Sequence, residues 1–122
     1  MLVTGGAGFI GQALVAELVA VADLILVLDS LRPDVHRDGG ASARERLVAL
    51  GTDLVVGDAR DASTVAAALT GLDALVPLAA KAGRGVGVDA MAAYAATTDS
   101  APAVPLRSPA PPRLRAPPRP PP

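Results

Sequence analysis

The chain has no cysteine and no tryptophan, one phenylalanine, one tyrosine, one histidine and one lysine. Without cysteine there are neither disulfides nor thiolate chemistry, and a reducing compartment is compatible. With so few aromatic rings the core must be assembled from Ala, Val and Leu. No basic segment precedes an apolar run, so a secretory signal is not expected. The longest apolar stretch, residues 13–28, is interrupted by Glu17 and Asp23. It falls short of the roughly 18 uninterrupted residues a membrane span needs. A cytoplasmic protein with no membrane or nucleic-acid partner is the expectation, and 122 residues allow one domain at most.

Charge and proline are distributed in two blocks. Residues 1–99 hold all 12 acids against 7 bases, a net −5, whereas residues 100–122 hold 4 arginines and no acid. Ten of the 12 prolines lie in that second block. The division predicts a folded domain over 1–99 and a Pro/Arg-rich tail over 100–122 that is disordered or polyproline II.

The first dozen residues organise the domain. Met1–Thr4 is a short apolar run, Gly5-Gly6-Ala7-Gly8-Phe9-Ile10-Gly11 follows at once, and residues 12–20 have helical character. Strand, glycine turn and helix in this order form the phosphate-cradling corner of a dinucleotide-binding fold. Gly5 permits the turn, Gly8 lets backbone approach a pyrophosphate, and Gly11 lets the helix lie close to the strands. Unpaired N–H groups at the helix start, at the positive end of its dipole, attract phosphate oxygens. Asp29 closes the apolar run Leu24–Leu28, 18 residues beyond Gly11. That is near the roughly 20-residue spacing of the acid that bonds the ribose hydroxyls of NAD. A carboxylate there repels the extra phosphate of NADP, so NAD is the expected cofactor although Arg32 lies nearby. Loop capping is the weaker alternative for Asp29.

Further along, the pattern predicts a first helix over Phe9–Ala20 with Ile10, Leu14, Leu18 and Val21 on its buried face. A loop should span Leu31–Ala43, with His36 solvated in it. A short helix over Ala43–Leu50 follows, capped by Ser42 with Glu45 as capping-box partner. Asp53–Gly57 reads as a third strand. Asp61 should cap a helix through Leu69 that Gly71 stops. Leu72–Ala80 reads as a fourth strand, with Pro77 awkward in it because it lacks a ladder donor. Lys81–Gly87 reads as a loop and Val88–Thr98 as a last helix. The alternation gives the fold class: α/β, a Rossmann-type parallel sheet with helices on both faces, connected by right-handed crossovers. The opening strand is short for a central one, which points to a start a few codons upstream.

Thr4-Gly5-Gly6-Ala7-Gly8-Phe9-Ile10-Gly11 resembles the opening of the NAD-dependent epimerase/dehydratase family, the extended short-chain dehydrogenases that act mainly on nucleotide sugars. Leu28-Asp29-Ser30-Leu31, Gly57-Asp58-Ala59-Arg60-Asp61 and Leu78-Ala79-Ala80 agree in order and spacing, and the resemblance spans roughly residues 1–98. It implies that Gly5, Gly8, Phe9, Ile10 and Gly11 line the pyrophosphate and that Asp29 holds the adenosine ribose. It further implies that Asp58, with Ala59 beside it, accepts from the adenine amino group; helix-entry capping is an equal alternative for Asp58. Leu78, Ala79 and Ala80 would border the nicotinamide half.

The departures concern catalysis. Pro77 stands where the family usually has histidine. The family's Tyr-x-x-x-Lys pair is missing: Tyr94 is followed four residues on by Thr98, and no lysine follows Lys81. Tyr94 is expected to pack on the last helix and Lys81 to be solvated. The reading is therefore an NAD-binding N-terminal portion of a nucleotide-sugar epimerase or dehydratase, catalytically incomplete as written. The alternative is a stand-alone dinucleotide-binding module whose arginine-flanked P-x-x-P tail engages a partner. The tail itself is read as a frameshift product from about Ser100. The family's Asp-Leu-Gly-Thr-Ala continuation, written in G+C-rich codons and shortened by one base, reads Asp-Ser-Ala-Pro, the sequence of residues 99–102.

Overall fold

The computed structural model describes residues 1–80. The loop and helix expected over 81–98, Tyr94, Lys81 and the Pro/Arg-rich tail lie outside the described residues. In chain order the elements are β1 (Leu2–Thr4), α1 (Phe9–Leu18), β2 (Leu26–Asp29), α2 (Ala41–Ala49), β3 (Asp53–Val56), α3 (Ala62–Leu69) and β4 (Leu75–Pro77). All pairings are parallel and the sheet order is β3-β2-β1-β4.

Period-two alternation splits the apolar residues between two cores. Val3, Ile25 and Val27 join Val15 of α1 and Ala43 and Leu47 of α2 on one face. Leu2 and Leu28 meet Val65, Ala68 and Leu69 of α3 on the other. Successive strand residues point to opposite faces, so helices cover both sides, as the alternating sequence predicts. From β1 the chain steps one way through β2 to β3, then returns by α3 to place β4 on the other side of β1. The carboxyl ends of β1 and β4 thus flank the point where the winding direction reverses, the position at which open α/β sheets form their crevice.

Three expectations change in the structure. The inward face of α1 carries Gly11 and Val15, with Leu18 packed against the core as expected and Leu14 half-buried, while Ile10 and Val21 are exposed. The fourth strand is three residues long, not nine; Leu72 is buried ahead of it and Leu78–Ala80 run on beyond it. Pro77 is tolerated because the ladder to β1 uses the alternate donors. The Leu78 N–H donates to the Thr4 carbonyl at 2.9 Å and the Leu2 N–H to the Ala74 carbonyl at 2.8 Å. The missing donor of Pro77 faces away from β1.

The helix entries differ in chemistry. Ser42 does not cap α2, which starts two residues earlier than expected behind Gly40, a residue with φ of 85°. Asp38 instead accepts the N–H groups of Gly40 (3.0 Å) and Ser42 (2.8 Å) and the Ser42 hydroxyl. The Ser42 hydroxyl and these two backbone donors hold the Asp38 carboxyl down to about 2.

Asp61 caps α3 as predicted, accepting from the Ser63 and Thr64 N–H groups. The Thr64 hydroxyl, then the Ser63 hydroxyl and N–H, lower its carboxyl from the ordinary value. A carboxyl lowered in the folded state adds stability that is present at neutral pH and disappears as pH falls through the folded value. Asp61→Ala is expected to lower the urea midpoint at pH 7, and the gap to wild type should close on acidification. A gap that stays constant down to acid pH would show that the charge is not what caps the helix.

Candidate functional site

A cleft of about 500 Å³ opens at the carboxyl ends of β1, β2 and β4. Its wall contains all eleven residues singled out in the sequence: Gly5, Gly8, Phe9, Ile10, Gly11, Asp29, Asp58, Ala59, Leu78, Ala79 and Ala80. The topology brings together four segments separated by up to 75 positions.

The floor is the glycine turn. Gly5 has φ of 72°, and a Cβ on it would stand 2.7 Å from the Ala79 nitrogen. This glycine therefore lets the ends of β1 and β4 close on each other, with the Ala79 N–H reaching toward the Thr4 hydroxyl (3.5 Å). Gly11 is packed still more tightly, since a Cβ there would lie 2.4 Å from the Gly5 carbonyl oxygen and 2.5 Å from the Gly6 Cα. That contact fixes the rotation of α1 about its axis. Gly11 turns inward, and Phe9 (95% exposed) and Ile10 (70%) stand out over the cleft.

The start of α1 has the makings of an anion site. Gly8 occupies the cap position in extended conformation and supplies no side-chain acceptor, and the first turn has no acid. The Gly8 N–H returns to the Gly5 carbonyl (3.2 Å) and the Gln12 N–H to the Gly8 carbonyl (2.9 Å). Between them the N–H groups of Phe9, Ile10 and Gly11 find no acceptor among the described residues. Three unpaired donors at the positive end of a helix, with no side chain in the way, fit a diphosphate.

Asp29 closes the other side of the turn. Its Oδ2 accepts the Ala7 N–H at 3.0 Å and its Oδ1 the Leu31 N–H at 2.9 Å. Each oxygen keeps further acceptor capacity, which suits a ribose diol. Arg32, the nearby cation, is committed elsewhere: its Nε and Nη2 bond the two oxygens of Asp34 at 2.9 and 3.1 Å.

At the end of β3, Asp58 neither caps α3 nor stands free. Its carboxylate takes the Arg60 N–H (2.8 Å) and the Arg60 guanidinium, with Nε 2.9 Å from both oxygens. The Arg60 side chain, ahead of its backbone N–H, holds the Asp58 carboxyl below its ordinary value. Asp58 thus stays an acceptor-only group.

Sequence reasoning misplaced one residue. His36 is not solvated: it is 9% exposed, and its Nε2 stands 3.9 Å from the Asp29 Oδ1. The absence of an acid at helical spacing hid this partner, which lies seven positions earlier across a folded-back loop. No group of three or more His, Asp or Glu side chains among the described residues could hold a metal ion.

Comparison with known proteins follows the same outline. A profile of the NAD dependent epimerase/dehydratase family matches residues 1–101. A dTDP-L-rhamnose 4-epimerase from Burkholderia thailandensis is 40% identical over 89 residues, 70% of this chain and 23% of that protein. Among solved structures, a dTDP-glucose 4,6-dehydratase from Streptomyces venezuelae with NAD bound is 36% identical, with a TM-score of 0.62. A UDP-glucose-4-epimerase from Stenotrophomonas maltophila, with bound NAD and formylated UDP-arabinopyranose, is 29% identical with a TM-score of 0.69. Each similarity covers 84% of this chain but only 33% and 31% of those chains. The chain therefore spans about a quarter to a third of the length of these relatives. With the glycine turn, the strand-end acid and the parallel sheet in the family's order, and its profile matched over most of the sequence, this chain belongs to the NAD dependent epimerase/dehydratase family.

Proposed function

We propose that the cleft holds NAD and that the chain is the NAD-binding N-terminal portion of a nucleotide-sugar epimerase or dehydratase. The observation that carries this reading is the set of N–H groups of Phe9, Ile10 and Gly11, unpaired among the described residues and placed beside Gly5 and Gly11, where any Cβ would press on backbone. In this reading those donors bind the diphosphate, Asp29 orients the adenosine ribose by accepting from its hydroxyls, and Asp58 accepts from the adenine amino group. Ala59 lies beside the adenine. Leu78, Ala79 and Ala80 border the nicotinamide half, where small side chains leave room for a ring and keep water off it. When bound, NAD supplies a hydride acceptor. The relatives are named for nucleotide sugars, which supports the same substrate class for the whole enzyme.

The proton-moving part of the reaction is a separate matter. The family's Tyr-x-x-x-Lys pair has no counterpart in the 122 residues, since Tyr94 is the only tyrosine and Lys81 the only lysine. We therefore expect cofactor binding without turnover. A ligand that binds only the folded state at 100 times its Kd stabilises by about 2.7 kcal/mol. Thermal melts of the full chain should accordingly move upward with NAD, while UDP-glucose or dTDP-glucose incubated with chain and NAD should be recovered unchanged. Melts that ignore millimolar NAD would sink the binding assignment, and appearance of an epimer or a 4-keto sugar would sink the claim of incompleteness.

A further inference from the structure

The loop after β2 folds His36 inward. Leu31 adopts φ of 49° and buries its side chain against Gly40, where a Cβ would meet Leu31 Cδ1 at 2.7 Å. The His36 N–H then closes onto the Arg32 carbonyl at 2.7 Å. The imidazole forms part of the wall of the cleft and of a second groove, about 660 Å³, between α1 and α2.

Among the described residues, the charged groups that line the same two hollows are few. From the cleft come Asp29, Arg32, Asp34 and Asp58, and from α2 comes Arg46; α1 contributes the neutral Gln12. Arg32 is bonded to Asp34, Asp58 to Arg60, and Arg46 to the Gln12 side-chain oxygen at 3.1 Å. Asp29, at 3.9 Å, is the charge that His36 pairs with. That separation exceeds a hydrogen bond, so the interaction is set by charge and not by a fixed donor. Histidine is the side chain that changes charge between about pH 5 and 8.

We propose that His36 is a specificity-determining residue: its charge sets how strongly Asp29 discriminates between a dinucleotide with a free ribose 2′-hydroxyl and one with a 2′-phosphate. The inference rests on the reading that the cleft holds the dinucleotide. With His36 neutral, the Asp29 carboxylate is a full-strength acceptor for ribose hydroxyls and repels a 2′-phosphate. With His36 protonated, the imidazolium competes for the carboxylate and offsets its charge, so NAD binds less well and NADP better. By linkage, each cofactor must shift the proton equilibrium of His36 in the opposite sense.

His36 is the only histidine, so a tag-free full chain gives one imidazole Cε1–H resonance to follow by NMR. Saturating NAD is expected to move its titration midpoint to lower pH, and NADP to higher pH. In parallel, calorimetric titration of both cofactors at pH 8 and 5.5 is compared between wild type and His36→Gln. The 2′-phosphate itself titrates near pH 6, but that contribution is common to both proteins. The preference for NAD should fall about fivefold more in wild type than in His36→Gln. Equal falls in the two proteins, or midpoints that move the same way with both cofactors, overturn the assignment of His36 and leave the cofactor reading standing. Failure of NAD to bind at either pH overturns both.

Discussion

Gly11→Ala should be the most damaging single-methyl change in the domain. The added Cβ would lie 2.4 Å from the Gly5 carbonyl oxygen, 2.5 Å from the Gly6 Cα and 2.7 Å from the Gly6 carbonyl carbon. All three are backbone atoms of the glycine turn, so no side chain can swing aside. Either α1 backs away from β1 or the turn deforms, and overpacking of this sort costs about 1–3 kcal/mol. For some eighty residues with a total stability on the order of 4–12 kcal/mol, that is a large share. The same displacement moves the N–H groups of Phe9, Ile10 and Gly11, so NAD affinity should drop by at least about tenfold, the equivalent of roughly 1.4 kcal/mol.

Gly51→Ala separates strain from site. Gly51 also requires positive φ, 72°, but has nothing within 4 Å of its would-be Cβ. It follows α2 at the far end of the sheet from the cleft. Its replacement should cost about 1 kcal/mol from the backbone alone and leave NAD affinity unchanged. Urea midpoints with NAD titrations on both variants decide the matter. A Gly11→Ala protein no less stable than Gly51→Ala, and equal to wild type in NAD affinity, would show that α1 does not rely on this approach.

The same contact explains what was legible in the sequence and what was not. Strand, turn and helix order followed from apolar runs separated by glycines, because these features act locally. Asp61 as a cap was readable because a cap depends only on residues two and three positions on. The buried face of α1 was misread at its two ends: Leu18 packs against the core and Leu14 is half-buried, but Ile10 and Val21 are exposed, because the backbone contact of Gly11 sets the rotation of the helix. Glycine has no side chain to register in a hydrophobic pattern, yet here it fixes the rotation of the helix. Ile10 is thereby moved from an expected core position to the rim of the cleft. His36 was misread for a related reason. Its burial depends on Leu31 taking a left-handed conformation rare for leucine, and no spacing rule anticipates that. The eleven residues singled out in the sequence all lie along the cleft, but Asp34, Val35 and His36 beside them, and the ties of Arg60 to Asp58 and Arg32 to Asp34, were not legible.

Those ties bear on the acid that matters most. Asp29→Ala should lose more than a ribose contact. The carboxylate bridges the glycine turn, through the Ala7 N–H, to the loop after β2, through the Leu31 N–H. Its removal leaves two part-buried donors without acceptors and costs about 2–3 kcal/mol. Asp29→Asn is the more informative variant. Its single acceptor oxygen can serve one of the two N–H groups, while its amide NH₂ faces the other, so part of that loss remains. A neutral amide is also a weaker acceptor for ribose hydroxyls, and it no longer repels a 2′-phosphate. NAD affinity should therefore fall by about tenfold or more while NADP affinity falls less or rises, since hydrogen bonds to a charged group are worth roughly 1.5–3 kcal/mol. Calorimetric titration of both cofactors against Asp29→Asn, with a urea midpoint to confirm that the chain stays folded, measures each part separately. If NAD and NADP weaken by the same factor, Asp29 acts only through the turn it holds together, and the choice between cofactors must be made elsewhere in the cleft.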